Sequence, residues 1–239
     1  MVTNGKIKVN IILNMKIFVI NLDYRKDRFC NFTLNYNFPI EFNKIDAIDG
    51  NNLNDNYLNS VLGEVGKQSL KNKRRRFHYE LPTVGAVGCY LSHIKTWKTI
   101  INNNINDNSL IFEDDIYVSD IKFNNILERI NNLPDDWDIY LLSNPIHCYN
   151  KELIYDDLYK VKNFFCLSSY VINIKACKKI IDYQHLFPIN QQIDTFLSNV
   201  NLNIYVNINQ PYYKQHDDEK SNIQIDDLEN PNELSYEPL

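Results

Sequence analysis

Apolar residues occur along the chain in two patterns. Short runs are apolar on both faces, as in KIFVINL at 16–22, and longer segments carry apolar residues three or four positions apart. The first pattern indicates strands covered on both sides, and the second indicates amphipathic helices. The predicted strands lie at 16–22, 40–49, 109–115, 137–143 and 202–208, with two short strands inside 159–174. The predicted helices lie at about 26–36, 83–102, 123–130, 175–183 and 191–200.

The order of these elements is β, α, β, α, β, α, β and then mixed, which favours an α/β fold with helices around a mostly parallel sheet. Residues 51–80 are polar around the basic run KNKRRR at 71–76 and predict a loop with some helix. We expect residues 1–14 to be an N-terminal extension, 15–214 a single domain, and 215–239 an acidic tail or flap.

The charge of the chain is concentrated at its C-terminal end. The 239 residues hold 25 Lys+Arg against 30 Asp+Glu, a net charge of −5. The last 25 residues contain eight of the acidic residues and one lysine, which leaves 24 basic against 22 acidic elsewhere. This balance argues against a general nucleic-acid binder, which would carry a basic excess. With 44% hydrophobic residues, the chain is also not disordered as a whole.

The cysteines and the N-terminal apolar stretch both provide information on where in the cell the protein is located. Five scattered cysteines without a CxxC pair predict reduced thiols and a cytoplasmic setting. The stretch 7–20 is interrupted by lysine and asparagine, so we predict no transmembrane segment and no signal peptide.

Glu113, Asp114 and Asp115 follow directly after the buried strand SLIF. Ligands of open α/β sheets bind outside the carboxyl ends of strands, and adjacent carboxylates there repel one another. In an extended chain Glu113 and Asp115 point to one side, so a divalent cation, manganese or magnesium, would neutralise them economically. The alternative is a solvated acidic turn that caps the next helix.

The segment GAVGCYLSHIKTW at 85–97 opens the longest predicted helix. Gly85 and Gly88 allow close approach, either by a neighbouring element or by a ligand at the helix N-terminus. Cys89 and His93 share a helix face, a spacing that more often reflects packing than zinc binding. Ser92 and His93 point about 100° apart, which disfavours a Ser–His nucleophilic pair.

The turn after the first strand, NLDYRKDR at 21–28, is polar. Arg25 and Arg28 are three residues apart and predict forked donors for a diphosphate, with surface salt bridges as the alternative. The chain contains neither GxxxxGK[ST] nor GxGxxG, so the fingerprints of P-loop NTPases and dinucleotide-binding proteins are missing.

Several segments together resemble glycosyltransferase family 25, the group of bacterial lipooligosaccharide galactosyltransferases and collagen β-galactosyltransferases. The resemblance runs in order from about residue 16 to 224, and its most specific part is GCxxSHI followed by EDD. The segments that carry it are FVINLDYRKDR (18–28), IDAIDG (45–50), GAVGCYLSHIKTW (85–97), LIFEDD (110–115), DDWDIYLLS (135–143), SSYVINIKACKKI (168–180), QQIDTFL (191–197) and, weakly, 215–224.

The resemblance implies a Rossmann-like GT-A fold, a UDP-sugar donor, usually UDP-galactose, and inverting transfer to a hydroxyl of a glycan or glycoprotein acceptor. It also implies a divalent cation, manganese rather than magnesium. Glu113 and Asp115 would be the metal ligands, with Asp115 the safer of the two because Glu113 replaces the first Asp of a DxD-type motif. The implied donor-binding residues are Asn21, Leu22, Arg25, Arg28, Asp46, Gly85, Ser92, His93 and Asp114.

The catalytic base expected from this chemistry is a carboxylate that accepts the proton of the acceptor hydroxyl. Asp194 is the first candidate and Asp138 the second. Two other functions stay open. A glycoside hydrolase also uses paired carboxylates, although adjacent residues suit it poorly. A non-catalytic nucleotide-sugar- or glycan-binding module on the same fold is the alternative from another class.

Overall fold

The structure is a computed structural model, which describes residues 15–72, 79–118, 122–142 and 148–209. The predicted extension 1–14, the acidic tail 215–239 and most of the basic run at 71–76 lie outside the described residues. None of the five cysteines, all of which are described, forms a disulfide.

The described residues form eight strands and seven α-helices, most of them within a few residues of the predicted bounds. In chain order these are β1 (Lys16–Asn21), α1 (Lys26–Asn35), β2 (Phe42–Asp46), α2 (Asp55–Val61), α3 (Glu64–Lys71), α4 (Val84–Asn102), β3 (Ser109–Glu113), α5 (Phe123–Asn131), β4 (Ile139–Leu141), β5 (Cys148–Tyr155), β6 (Leu158–Phe164), β7 (Ser169–Ile172), α6 (Ile174–Ile181), α7 (Ile193–Asn199) and β8 (Ile204–Asn207). A 3₁₀ turn at Gly50–Asn52 precedes α2.

All eight strands belong to one sheet, in the order β2-β1-β3-β7-β4-β8-β6-β5. β1 pairs in parallel with β2 and β3, and β4 pairs in parallel with β8. The other four pairings are antiparallel. The α/β class is therefore confirmed, whereas the prediction of a mostly parallel sheet is wrong. A two-residue turn joins β5 to β6 and makes that pair antiparallel, and β7 runs antiparallel between β3 and β4.

Each face of the sheet has its own hydrophobic core because side chains alternate along every central strand. Phe18 and Ile111 face the core that contains α4, α6 and α7. Ile17 and Phe112 face the core that contains α1 and α5. The molecule is thus a three-layer α/β/α arrangement in which central strands are covered on both sides.

Among the described residues, no helix combines the length and the apolar character that crossing a membrane requires. The longest, α4, has polar side chains in its middle, and two of them, Ser92 and His93, are buried.

Candidate functional site

A cleft opens at the carboxyl edge of β1, β2 and β3. In the strand register Asn21 lies opposite Asp46, and Ile20 lies opposite Glu113, so the three strands end at the same level. The cleft is lined by the end of β1 and its following turn, the segment 47–51, the first half of α4 and the end of β3. Its lining residues are Ile20, Leu22, Tyr24, Arg28, Ala47, Ile48, Asp49, Gly50, Asn51, Gly85, Cys89, Ser92, His93, Glu113, Asp114 and Asp115.

Asp114 is the most buried of the three carboxylates at the end of β3. Its Oδ2 accepts a 2.6 Å hydrogen bond from Asn21 Nδ2, and its Oδ1 lies 3.5 Å from Arg28 Nη1. Burial raises the pKa of Asp114, while the hydrogen bond from Asn21 and the charge of Arg28 oppose that shift. Asp114 therefore ties the end of β3 to the turn after β1.

Asp115 has one oxygen with a partner and one without. Its Oδ2 lies 3.3 Å from Arg28 Nη1, whereas its buried Oδ1 has no hydrogen-bond partner within the described part of the chain. Burial, followed by the charge of Glu113, raises the pKa of Asp115 to about 7. Leaving a buried carboxylate oxygen unpaired is costly, so this position favours a proton or a cation.

The charges at this edge do not balance. Asp114 and Asp115 contact the guanidinium of Arg28, and Glu113 precedes them in the chain, while Arg25 forms its own 2.8 Å ion pair with Asp27. When all three carboxylates are ionised, they and the Arg28 guanidinium sum to two negative charges, which one divalent cation would balance. Carboxylate oxygens are ligands that manganese and magnesium accept. The residues present thus fit the predicted cation, with Asp115 Oδ1 as the oxygen that lacks a partner.

Glu113 contacts α4 through a single oxygen. Its Oε1 lies 3.2 Å from His93 Nε2 and 3.7 Å from Cys89 Sγ. The three side chains present one nitrogen, one sulfur and one oxygen within 4.8 Å of one another, a set that could hold a metal ion. Burial raises the pKa of the Cys89 thiol well above its usual range, and the nearby charges of Glu113 and Asp194 add to that shift.

The N-terminal half of α4 packs directly on the segment 47–50. Ser92 Oγ donates to the Gly88 carbonyl at 2.7 Å and accepts from Ile48 N at 2.8 Å. A Cβ atom at Gly88 would lie 2.4 Å from the Ile48 carbonyl oxygen and 2.6 Å from Gly50 N. The close approach at Gly88 is therefore made by the chain's own backbone. Gly85, one turn earlier, lines the cleft.

The other residues predicted to bind the sugar donor divide between the cleft and its surroundings. Leu22 lines the cleft, as do Arg28 and His93. Asp46 stands at the same edge of the sheet, but its carboxylate is 70% exposed and pairs with Lys44 at 3.0 Å. Arg25 engages Asp27, and Arg28 engages the carboxylates, so neither guanidinium is held ready for a diphosphate alone.

Asp194 lies at the start of α7 and supports the loop between β6 and β7. Its Oδ2 accepts a 3.0 Å hydrogen bond from Cys166 N, and its Oδ1 accepts one of 2.7 Å from Thr195 N. Cys166 adopts a φ of 75°, in the left-handed region, which explains why its N–H is anchored by a side chain. The charge of Asp194 adds to the raised pKa of the Cys89 thiol, but Asp194 itself is not among the described residues that line the cleft.

Asp138 lies far from the other predicted site residues. It precedes β4, where Ile139 is level with Ile172 and hence with Ser109 at the start of β3, at the opposite end from Glu113. Both oxygens contact Lys179 Nζ, at 2.8 and 2.7 Å, and Oδ2 accepts from Asn203 N at 2.9 Å. Asp138 therefore links β4 to α6 and to the segment before β8, at the end of the sheet opposite the cleft, which does not fit the predicted role of a base.

Sequence reasoning missed Tyr170, which contacts His93 from β7 at 3.0 Å. It considered Cys89 and His93 together because they are four residues apart, but it did not connect them to Glu113. Helical spacing reveals a shared face, whereas the contact between α4 and the end of β3 depends on how the layers pack.

Comparison with known proteins identifies the family. The family model for glycosyltransferase family 25, described as an LPS biosynthesis protein, matches residues 14–197, more than half of the chain. The chain belongs to glycosyltransferase family 25. The matched span of this family-25 chain contains the whole cleft lining and Asp194.

Two relatives in this family are named for galactosyl transfer. Procollagen galactosyltransferase 1-A of Xenopus laevis is 29% identical over 195 residues, which cover 76% of this chain and 30% of the relative. Human procollagen galactosyltransferase 2 is 32% identical over 129 residues, 52% of this chain and 20% of the relative.

A third relative carries a different description. The mouse protein named inactive glycosyltransferase 25 family member 3 is 28% identical over 135 residues, 53% of this chain and 21% of its own length. The chain thus spans less than a third of the length of each of these three relatives. Among solved structures, A197 from STIV covers 81% of both chains at 11% identity with a TM-score of 0.44.

Proposed function

We propose that this family-25 chain is a metal-dependent, inverting glycosyltransferase with a GT-A type fold. In this proposal it transfers galactose from UDP-galactose to a hydroxyl of a glycan or glycoprotein acceptor. The observation that carries the proposal is the buried Asp115 Oδ1, which has no hydrogen-bond partner among the described residues and lies in a group of carboxylates at the carboxyl edge of the sheet. Relatives named procollagen galactosyltransferases support the choice of galactose.

The cation is held, in this proposal, by Asp115 Oδ1 together with Glu113, and manganese is the expected ion. When bound, it supplies positive charge that stabilises the diphosphate of the donor as it leaves. Arg28 holds Asp115 from the other side, and Asp114 is fixed by Asn21. These contacts keep the carboxylates in place before the donor binds, so little reorganisation is needed during the reaction.

The proton of the acceptor hydroxyl needs a base on the face opposite the departing diphosphate. Asp194 stays the candidate for this role in our proposal, and it lies within the residues that the family model matches. Backbone N–H groups of Cys166 and Thr195 fix its carboxylate in one orientation. A carboxylate held in one orientation suits general-base catalysis, which also requires the acceptor hydroxyl to bind within hydrogen-bond reach of it.

The test is a UDP-release assay on the 239-residue chain with UDP-galactose, UDP-glucose and UDP-N-acetylhexosamines, each with and without manganese. We expect release from UDP-galactose only with the cation. Asp115→Asn should lower kcat at least about 100-fold, because it removes charge where the departing diphosphate must be stabilised. Its melting temperature should not fall, because the substitution also removes repulsion from Glu113.

A matched control is Asp157→Asn, a half-buried carboxylate in the β5–β6 turn whose partners are Asn207 and Arg129. We expect the control to keep wild-type UDP release. Undiminished release by Asp115→Asn would contradict the cation assignment. UDP binding without release over a broad acceptor panel would favour the non-catalytic module, a reading supported by the relative named inactive. Cleavage of a simple glycoside without any UDP-sugar would favour a hydrolase.

A further inference from the structure

A line of hydrogen bonds runs from the core under α4 to Glu113. Trp97 Nε1 donates to the Tyr170 hydroxyl at 2.9 Å, and that hydroxyl lies 3.0 Å from His93 Nδ1. On the other side of the imidazole, Nε2 lies 3.2 Å from Glu113 Oε1. Trp97, Tyr170 and His93 are all fully or almost fully buried. These hydrogen bonds therefore end on one of the two proposed metal ligands, and Trp97, Tyr170 and His93 are shielded from solvent.

The donors and acceptors along this line fix its direction. An indole N–H can only donate, so the Tyr170 oxygen is an acceptor from Trp97. The hydroxyl proton of Tyr170 then needs an acceptor, and His93 Nδ1 is the one available among the described residues. An imidazole that accepts at Nδ1 carries its proton on Nε2 and donates there, which suits the carboxylate of Glu113.

The opposite arrangement is less favourable. A proton on Nδ1 would direct two N–H groups at the Tyr170 oxygen and leave the tyrosine's own buried proton without an acceptor in the described part of the structure. Buried hydrogen-bonding groups are rarely left in that state.

We propose that His93 is a positioning residue that holds the metal ligand Glu113, with its single ring proton on Nε2 fixed there by Tyr170 and Trp97. This inference rests on the proposed function, which makes Glu113 a metal ligand. It adds His93, Tyr170 and Trp97 as the residues that hold Glu113 in place. Glu113 Oε1 is occupied by the histidine, and Oε2 is the oxygen left for the cation. In this state His93 Nε2 carries a proton directed at Glu113 and offers no lone pair to a metal ion.

The first test measures the tautomer directly on the cation-free protein. Histidine labelled with ¹⁵N is observed through long-range ¹H–¹⁵N correlations, and the variant His93→Gln assigns the His93 signals among the five histidines. We expect a bare Nδ1 and a protonated Nε2. Tyr170→Phe should move the Nδ1 resonance, because it removes the hydroxyl that donates to this nitrogen.

Tyr90→Phe is the matched control for Tyr170→Phe. Tyr90 is a buried tyrosine of α4 whose hydroxyl donates to the Leu186 carbonyl, away from His93. Removing the Tyr90 hydroxyl should leave the Nδ1 resonance of His93 unchanged. A proton on Nδ1 in the wild-type protein, or an Nδ1 resonance that ignores Tyr170→Phe, would overturn the proposal.

The second test measures manganese affinity by electron paramagnetic resonance of the free ion. His93→Leu should weaken binding about 10- to 100-fold, the usual effect of removing a group that supports a metal ligand. His93→Gln should stay within a few-fold of wild type, because its amide can donate to Glu113 from a similar position. Equal losses in both variants, or no loss in His93→Leu, would contradict a positioning role.

The two tests separate failure of this inference from failure of the proposed function. If the wild-type protein binds no manganese, the cation assignment is wrong, and the tautomer measurement alone decides whether His93 is held as a donor to Glu113. If manganese binds and the tautomer is the other one, the proposed function stands and the positioning role is wrong.

Discussion

Asp115 and Asp138 are both largely buried aspartates, yet their surroundings differ completely. Asp138 is satisfied by Lys179 and by the Asn203 N–H, so each of its oxygens has partners. Within the part of the chain that the structure describes, Asp115 keeps a buried oxygen without a hydrogen-bond partner, next to another carboxylate. A satisfied carboxylate stabilises the fold, whereas an unsatisfied one lowers stability and is available to a ligand.

This contrast predicts opposite effects of the same substitution. Asp138→Asn should lower the free energy of unfolding by about 1–3 kcal/mol, because a nearly buried position loses its charge beside Lys179 and gains a mismatched amide. The ammonium of Lys179 is half exposed, which keeps the loss below that of a fully buried ion pair. Urea denaturation measures this change in the free energy of unfolding. A loss as large in Asp115→Asn would contradict the distinction.

Only part of this residue-level picture could be predicted from the sequence. The carboxylates at 113–115 could be found because they are adjacent and follow a buried strand. The sequence around Asp138 and the sequence around Asp194 give no sign of how different their surroundings are. Asp138 precedes a predicted strand, and Asp194 lies in a predicted helix. Their roles are set by Lys179 and Cys166, which come from distant segments.

At the scale of elements, the junction between α4 and the segment 47–50 shapes the cleft. Gly88 lets the helix backbone reach the Ile48 carbonyl, and Ser92 fixes the two together through the Ile48 N–H. Asp49 caps the 3₁₀ turn by accepting from Asn51 N at 2.9 Å. The wall that contains Gly85 and Asn51 therefore depends on a backbone contact rather than on side-chain packing.

Gly88→Ala tests this junction. Alanine normally favours a helix interior by about 1 kcal/mol over glycine. Here its Cβ would lie 2.4 Å from the Ile48 carbonyl oxygen, which cannot move without displacing the segment 47–50. We expect a net destabilisation of about 1–3 kcal/mol in urea denaturation. Lys98→Ala, exposed on the same helix, should change stability by less than about 0.5 kcal/mol. A stabilised Gly88→Ala would rule out the close contact.

The elements themselves were predicted well where one face or both faces are apolar. α4 was expected at 83–102 and occupies Val84–Asn102. β5 was missed because it is an edge strand with mostly exposed residues, so no apolar run marks it. α2 and α3 fall in the polar stretch that predicted only some helix.

At the scale of the whole molecule, strand direction was the part that the sequence pattern could not supply. A strand buried on both faces has the same apolar pattern whether its neighbours are parallel or antiparallel. β7 shows this directly: it is fully buried, yet it runs antiparallel to both β3 and β4. The parallel half, β1 to β3, follows the predicted alternation of strands and helices, and it is the half that carries the carboxylate edge.

Because every central strand contributes to both cores, the two faces of the sheet should unfold together. The chain has two tryptophans, and they report on different faces: Trp97 is buried in the core under α4, and Trp137 packs against the core under α1 and α5. The variants Trp97→Phe and Trp137→Phe therefore each leave a reporter for one face. A single sheet shared by both cores predicts one cooperative transition.

In each single-tryptophan variant, the urea midpoint from fluorescence should coincide with the midpoint from far-ultraviolet circular dichroism. The comparison is made within a variant, so any stability lost with the Trp97 hydrogen bond to Tyr170 shifts both probes equally. A fluorescence midpoint that precedes the circular dichroism midpoint in one variant only would show that its face loses packing first. β1 and β3 place alternate residues in the two cores. A difference between the two midpoints would therefore require the sheet to persist with one face exposed to solvent, and the apolar side chains on that face of each strand would lose the free energy of burial.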